Sequence, residues 1–245
     1  MSLSAEEKME FYGRQARFTS GIRRHVYRMI GLAGLSRVID VGSGAGAVAR
    51  EIAESSGALV VALEKELDLI KYSACGERAV PVAADATGLP FGDNCFDAAL
   101  AHFVFMWIKR PEAALVEMKR VVRPGGWIGA LAEPDYGGWI DHPEGLEIGR
   151  MLADSLIREG ADPNMGRKLT GVFRRAGLAP KVGISSNIWD AERLKSEFDE
   201  EWKWRFKMLG SSSLLEKLKE RERKAIESGE RVLFVPIFYA FARNI

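Results

Sequence analysis

The sequence predicts an α/β fold built on a mostly parallel sheet, and three observations carry that expectation. Short apolar runs alternate with helix-period segments between Ser36 and Glu133. The first run ends in three glycines at alternate positions, Gly42, Gly44 and Gly46, with a helix-prone segment directly behind them. The chain of 245 residues, 47% of them hydrophobic, is long enough to bury a complete core as one domain. Strict alternation of strand and helix implies right-handed crossovers, with helices on both faces of the sheet.

Each element has its own signal. Residues 4–32 carry aromatic and aliphatic side chains at helical spacing and predict one or two helices. SRVIDV is the first strand and Gly46 to Ser55 the first helix of the alternating part. ALVVALE is the second strand, followed by a helix from Lys65 to Ser73. AVPVAA and FDAALAH are the third and fourth strands. PEAALVEMKRVV opens with Pro111 at a helix-start position and ends before RPGG, which reads as the turn into the fifth strand, WIGALAE. Beyond it, GLEIGRMLADSLIREG and GRKLTGVFRRAGL are helices and PKVGISSN a strand. Asp190 to Gly229 is helical and charged, with Phe198, Trp202 and Phe206 on one face. RVLFVPIFYAFARN is apolar on both faces and predicts a buried strand. No helix-length segment follows it, so it is expected to pair antiparallel with its predecessor, the helical insert lying between them. Pro236 cannot donate to a ladder, so a bulge is expected there.

Composition excludes several classes. Lys and Arg number 35 against 34 Asp and Glu, which argues against a broad nucleic-acid-binding surface. Cys75 and Cys95 lack metal-ligand spacing and read as reduced thiols, and His25, His102 and His142 are scattered, so no metal site is expected. No apolar stretch reaches the length of a membrane span, and the N-terminus is polar, so a cytoplasmic protein is expected. No internal repeat is visible.

The glycine turn admits two ligands. Gly42-x-Gly44-x-x-Ala47 satisfies a dinucleotide fingerprint, and Glu64 lies where that fingerprint expects an acid on a ribose. Asp40, two residues before Gly42, discriminates between them. Beside a pyrophosphate it would be repelled by about 4 kcal/mol per charge pair at about 4 Å and an effective dielectric near 20. A ligand with a cationic end gains instead. S-adenosyl-L-methionine has an ammonium group, a sulfonium, a ribose diol and an adenine. Asp40 can balance its methionine end, Glu64 can accept both ribose hydroxyls, and Asp85 in AADAT can meet the adenine amino group.

Asp40-x-Gly42-x-Gly44-x-Gly46, then Glu64, Asp85, LPFGDNCFDAALAHFVFMWI and VVRPGG, together resemble the class I S-adenosylmethionine-dependent methyltransferases, over roughly Leu35 to Glu133. The pattern is most similar to the small-molecule branch described as UbiE-like or type 11, and GADPNMGRKL resembles a segment common there. The resemblance implies a Rossmann-like seven-stranded sheet with an antiparallel last strand. It implies that the backbone of Gly42, Ser43 and Gly44 lines the methionine part of the cofactor. Glu64 then binds ribose, Lys65 flanks the adenine, Asp85 and Ala86 border it, and His102 and Phe103 sit near the reacting methyl. Where that branch often has paired histidines this chain has Met106 and Trp107, which removes a catalytic histidine from that position.

The expected organisation is a single methyltransferase domain. It comprises an N-terminal helical lid over 1–34, a cofactor-binding core over 35–133, and acceptor-side helices and terminal strands over 134–245. Candidate acceptor contacts are His102, Glu133 and Tyr136, with Tyr12 and Arg17 on the lid and Trp202 in the helical insert. The loop EPDYGGWIDHPE, which also holds Asp135 and His142, lies where open α/β sheets place ligands. Trp107 reads as core, the stripe of Phe198, Trp202 and Phe206 as a buried helix face, and EKLKERERKAIESGER as a solvated face. The expected reaction is in-line methyl transfer to a small molecule, with a general base needed only for a poorly nucleophilic acceptor. A Rossmann-type NAD(P)-dependent oxidoreductase and a non-catalytic S-adenosylmethionine-binding protein are the alternatives.

Overall fold

A computed structural model describes residues 3–71, 75–185 and 188–245. At its centre β1 (Arg37–Val41) is buried from Val38 onward, because it runs between two parallel neighbours and both of its faces are covered. The neighbours are β2 (Leu59–Glu64) and β4 (Phe96–His102). With β3 (Ala79–Ala83), β5 (Val122–Pro134), β7 (Lys181–Ser185) and β9 (Ile237–Arg243) they form a seven-stranded sheet in the order β3-β2-β1-β4-β5-β9-β7. β9 runs antiparallel to both β5 and β7, and the other pairings are parallel. The expected α/β class, the mostly parallel sheet and the antiparallel last strand are therefore present.

One face of the sheet packs against α2 (Ser20–Ile30) and α3 (Ala47–Ser56), through Val26, Ile30, Val48 and Ile52. The opposite face packs against α5 (Pro111–Val121) and α7 (Met165–Arg175), through Leu115, Met118, Leu169 and Phe173. A third apolar cluster joins α6 (Ile148–Arg158), α8 (Ala191–Leu209) and α9 (Ser213–Glu227) around Trp202. The N-terminal α1 (Ala5–Phe18) starts with a capping box, in which the Ser4 hydroxyl accepts from the Glu7 amide and the Glu7 carboxylate from the Ser4 amide.

Several expectations are corrected. The helix expected from Lys65 to Ser73 is the short α4 (Leu67–Lys71), and Ser73 lies outside the described residues, as do Ser186 and Asn187 of PKVGISSN. RPGG is not a turn before the fifth strand but a bulge within it: β5 advances from Val122 to Trp127 while β4 advances only from Phe96 to Ala98. Pro236 does not sit in a bulge. It separates β8 (Val232–Phe234) from β9, and β8 pairs with β6 (Ile140–His142) in a sheet of its own. The missing proline N–H is thus placed between two sheets, where no ladder needs it. Trp107 is 42% exposed rather than core. In the charged stretch after Glu216, Glu222 and Arg231 are buried. There the Glu222 carboxylate accepts from the Trp202 indole, Arg205 and Arg231.

Candidate active site

The turn behind β1 is built for close approach. Gly42 and Gly44 have φ of +72° and +57°, in the left-handed region that favours glycine. A Cβ on Gly42 would stand 2.5 Å from a methyl of Val104, and one on Gly44 would stand 3.1 Å from the Tyr12 ring. The Gly42 and Ser43 amides both donate to the Leu63 carbonyl, at 2.8 and 2.9 Å, which fixes the turn to the end of β2. Gly46 caps α3, so the turn leads into a helix N-terminus.

Under this turn lies Asp40, 1% exposed, with neither carboxylate oxygen in a hydrogen bond. Burial pushes its pKa up to about 7, opposed chiefly by the charge of Arg23, while Glu64 and Glu51 push it further up. The Ala49 amide also lowers it without reaching hydrogen-bond geometry. A buried carboxylate without a donor is costly, and a cation or a set of donors would relieve it.

Glu64 is engaged by backbone. Its Oε2 accepts from the Gly44 amide at 2.8 Å, and its Oε1 accepts from the amides of Lys65 and Glu66 at 2.7 and 2.9 Å. Lys65 Nζ lies 3.1 Å from Asp85 Oδ2, which brings these two predicted residues together. The other Asp85 oxygen accepts from the Thr87 amide and hydroxyl, and these bonds, with Lys65, hold its pKa down at about 2. Ala86 is half-buried beside it.

At the end of β4 the chain is strained. Phe103 has φ of +54°, a conformation that bulky residues rarely adopt and that recurs at functional sites. Its amide donates to the Ala132 carbonyl at 2.9 Å, and its ring meets the His102 ring edge-on at 4.7 Å. Glu133 does not face an acceptor: it is fully buried, and its carboxylate caps the strained turn. Its Oε1 accepts from the amides of Val104 and Phe105, both at 2.8 Å, and its Oε2 from Met106 at 3.2 Å. Burial lifts its pKa to about 7 against the pull of those three donors. His102 is likewise committed, with Nε2 2.7 Å from the Thr19 hydroxyl and 3.3 Å from Arg23 Nη1. Burial and the Arg23 charge hold its pKa well below the usual histidine value, so it is neutral.

The lid residues divide. Tyr12 lies over Gly44, and burial among Glu66, Glu64 and Glu159 pushes its phenol up to about 12. Arg17 is exposed. Ion pairs run along α1: Lys8 to Glu66, Glu7 to Lys207, Glu10 to Lys203, and buried Arg14 to Glu197 and Glu201 at 2.7 and 2.8 Å. Trp202 is 0% exposed and belongs to the core around α8, not to a substrate wall. Tyr136 stacks on Trp139 with ring centroids 5.3 Å apart, and burial raises its phenol pKa. Both rings line an open cavity of about 670 Å³ near α6, away from the glycine turn. Asp135, buried, pairs with Arg167, and the Asn164 side chain accepts from the Gly137 amide, so GADPNMGRKL braces this loop.

Arg23, Thr19, Arg14 and Val104 were not singled out in the sequence. Arg23 and Thr19 had a signal: both fall on the stripe of Val26, Tyr27 and Ile30, where a charge on an apolar face implies a buried partner. Among the described residues no group of His, Cys, Asp and Glu is arranged to hold a metal, and no helix is long and apolar enough to cross a membrane.

Residues 39–130 match the family model of a methyltransferase domain. Over 121 residues the chain is 38% identical to the demethylmenaquinone methyltransferase of Renibacterium salmoninarum, covering 47% of this chain and 49% of that protein. It is 27% identical to sterol 24-C-methyltransferase erg6 of Schizosaccharomyces pombe, covering 96% of this chain and 73% of the relative. The chain spans about half the length, or less, of the demethylmenaquinone methyltransferases it matches. Among solved structures, a protein of Anabaena variabilis described as a methyltransferase from an antibiotic biosynthesis pathway has TM-score 0.68 at 15% identity, covering 90% of this chain and 96% of that one. The [4+2]-cyclase SpnF has TM-score 0.55 at 18% identity, covering 93% and 81%. These two likenesses are of fold.

Proposed function

From a chain whose residues 39–130 form a methyltransferase domain and whose fold is that of the class I enzymes, we propose that the protein transfers a methyl group from S-adenosyl-L-methionine to a small-molecule acceptor. The observation that carries this proposal is Asp40, a buried carboxylate with no partner directly under a glycine turn. Such a group fits a ligand with a cationic end and opposes a diphosphate, which disfavours the nicotinamide alternative. The cofactor supplies a methyl on an electrophilic sulfonium, open to in-line displacement by the acceptor atom.

The chain's own part is to bind, align and exclude water. Asp40 would face the ammonium, and the backbone of Gly42 to Gly44 would line the methionine part, with its amides held by the Leu63 carbonyl and the Glu64 carboxylate. Glu64 takes the ribose diol, which requires its carboxylate to share or leave the Gly44 amide it now accepts from. Lys65, Asp85 and Ala86 border the adenine. Phe103 shapes the wall near the methyl, held in its strained turn by Glu133. Tyr12 covers the turn from α1 and is the lid residue on which acceptor contact is expected. With Glu133 and His102 committed to other partners and Tyr136 lining a cavity that includes none of the glycine-turn residues, no general base is assigned.

The decisive experiment incubates the protein with methyl-labelled S-adenosyl-L-methionine and a panel of phenols, quinols, amines, thiols and carbon acids. Acceptor-dependent S-adenosylhomocysteine formation is the expected result. Tight cofactor binding without transfer to any class would favour the non-catalytic alternative.

A further inference from the structure

Ion pairs of alternating sign run without a break from α1 to the wall of the cavity beside α6. Arg14 on α1 pairs with Glu197 and with Glu201 Oε1 on α8, at 2.7 and 2.8 Å. The other oxygen of Glu201 lies 3.5 Å from Arg205 Nη2. Arg205 Nη1 pairs with Glu222 Oε2 on α9. Arg231 donates from Nε to Glu222 Oε1 at 2.8 Å and from Nη2 to Asp141 Oδ1 at 2.6 Å. Asp141, on β6, lines the cavity with Tyr136 and Trp139, and its other oxygen accepts from the Gly149 amide of α6 at 3.1 Å. Arg14, Arg205, Glu222 and Arg231 are each at most 5% exposed, so solvent screens these charges little.

The links are not equally satisfied. Glu222 accepts from Trp202, Arg205 and Arg231, and Arg231 also donates to the His142 carbonyl. Arg205 is the loose link. Its Nη2 stands outside normal hydrogen-bond length from Glu201, and its buried Nε has no acceptor among the described residues. Its guanidinium lies over the Trp202 ring, 4.9 Å from the centroid, a face that holds it while it leans toward either carboxylate.

We propose that Arg205 is a positioning residue that couples Asp141 at the cavity wall to the seating of α1, so that the charge at one end of the chain sets how firmly Arg14 is held at the other. An ion shared between two buried partners gives to one what it withdraws from the other. Without the Asp141 charge, Arg231 keeps Glu222 as its ion-pair partner and draws on it more strongly. Glu222 then gives less to Arg205, Arg205 leans toward Glu201, and Glu201 gives less to Arg14. Without the Arg205 charge, Glu201 is left to Arg14, and α1 is held more firmly. The inference does not rest on the methyl-transfer reading. Its consequence for the crevice is that Tyr12, two residues before Arg14, stands over Gly44.

Hydrogen exchange of the ligand-free protein, followed by mass spectrometry, reads the opening of α1 apart from that of β1 and β4. The amides of α1 are expected to exchange about threefold faster in Asp141→Asn, with the central strands unmoved, and about threefold slower in Arg205→Gln. A network that only stabilises the fold predicts faster exchange in both variants. Faster α1 exchange in Arg205→Gln, or unchanged α1 exchange in either variant, would overturn the inference. Should Arg205→Gln not fold, Asp141→Asn is compared in the native and the Arg14→Gln backgrounds. Its effect on α1 is expected to vanish once Arg14 is gone, and an effect of the same size in both backgrounds overturns the coupling.

Discussion

At Asp40 the carboxylate meets no donor and its pKa stands near 7, against 3.8 for an ordinary aspartate. A raised folded-state value means that Asp40's contribution to stability is complete below pH 3.8 and lost as the pH climbs through 7. Asp40→Asn is therefore expected to stabilise the free protein at pH 8 by about 2 kcal/mol and to leave it unchanged at pH 4, measured by urea unfolding. The same change is expected to weaken S-adenosylhomocysteine binding at pH 8 by at least about tenfold. Glu133 shows the opposite relation. Its carboxylate satisfies three amides of the strained turn, so Glu133→Gln is expected to cost about 2 kcal/mol, and cofactor affinity with it, because Val104 abuts Gly42. An unchanged unfolding midpoint would refute that role. Both acids were legible in the sequence as crevice residues, since each ends a strand of the parallel run. Their roles were not, because whether a carboxylate at a strand end faces a ligand or its own next turn depends on contacts across the sheet. Trp202 failed for a similar reason: its spacing shows a face of a helix, not what covers that face.

α1 is the element whose seating on the rest of the molecule uses the most ion pairs. It is polar overall and is held by ion pairs of Glu7, Lys8, Glu10 and Arg14 together with ring contacts of Phe11 on Trp204 and Phe18 on Trp189. Exposed pairs of this kind are each worth well under about 1 kcal/mol and are screened by salt, whereas buried Arg14 is not easily replaced. Raising salt to about 0.5 M, where the Debye length is only a few ångströms, is expected to speed proteolysis near Thr19 modestly. Arg14→Gln is expected to speed it more than Lys8→Gln does, and equal effects would show that burial of Arg14 is not what seats the helix. The alternation of strands and helices up to Glu133 was legible because each period is local, but the short α4 and the bulge that takes RPGG into β5 were not. The break at Pro236 was legible as a conflict but not as its resolution, since the small sheet of β6 and β8 joins residues about ninety apart.

For the whole molecule, the domain match, the sheet order and the glycine turn agree on one crevice, at the carboxyl ends of β1, β2 and β4. Half of the chain lies beyond that core, and its helices are packed largely against one another around Trp202, with the Tyr136–Trp139 pair at their edge. The near balance of charge and the mostly polar α1 fit a small, neutral or cationic acceptor better than a polyanion. Calorimetric titration at pH 8 with S-adenosylhomocysteine and, separately, with NADPH tests the central claim most directly. Micromolar binding of the thioether nucleoside, weakened at least about tenfold in Asp40→Asn, and no heat from the dinucleotide is the expected outcome, with about 8 kcal/mol of binding free energy at that affinity. Saturable NADPH binding to a protein indifferent to S-adenosylhomocysteine would contradict it.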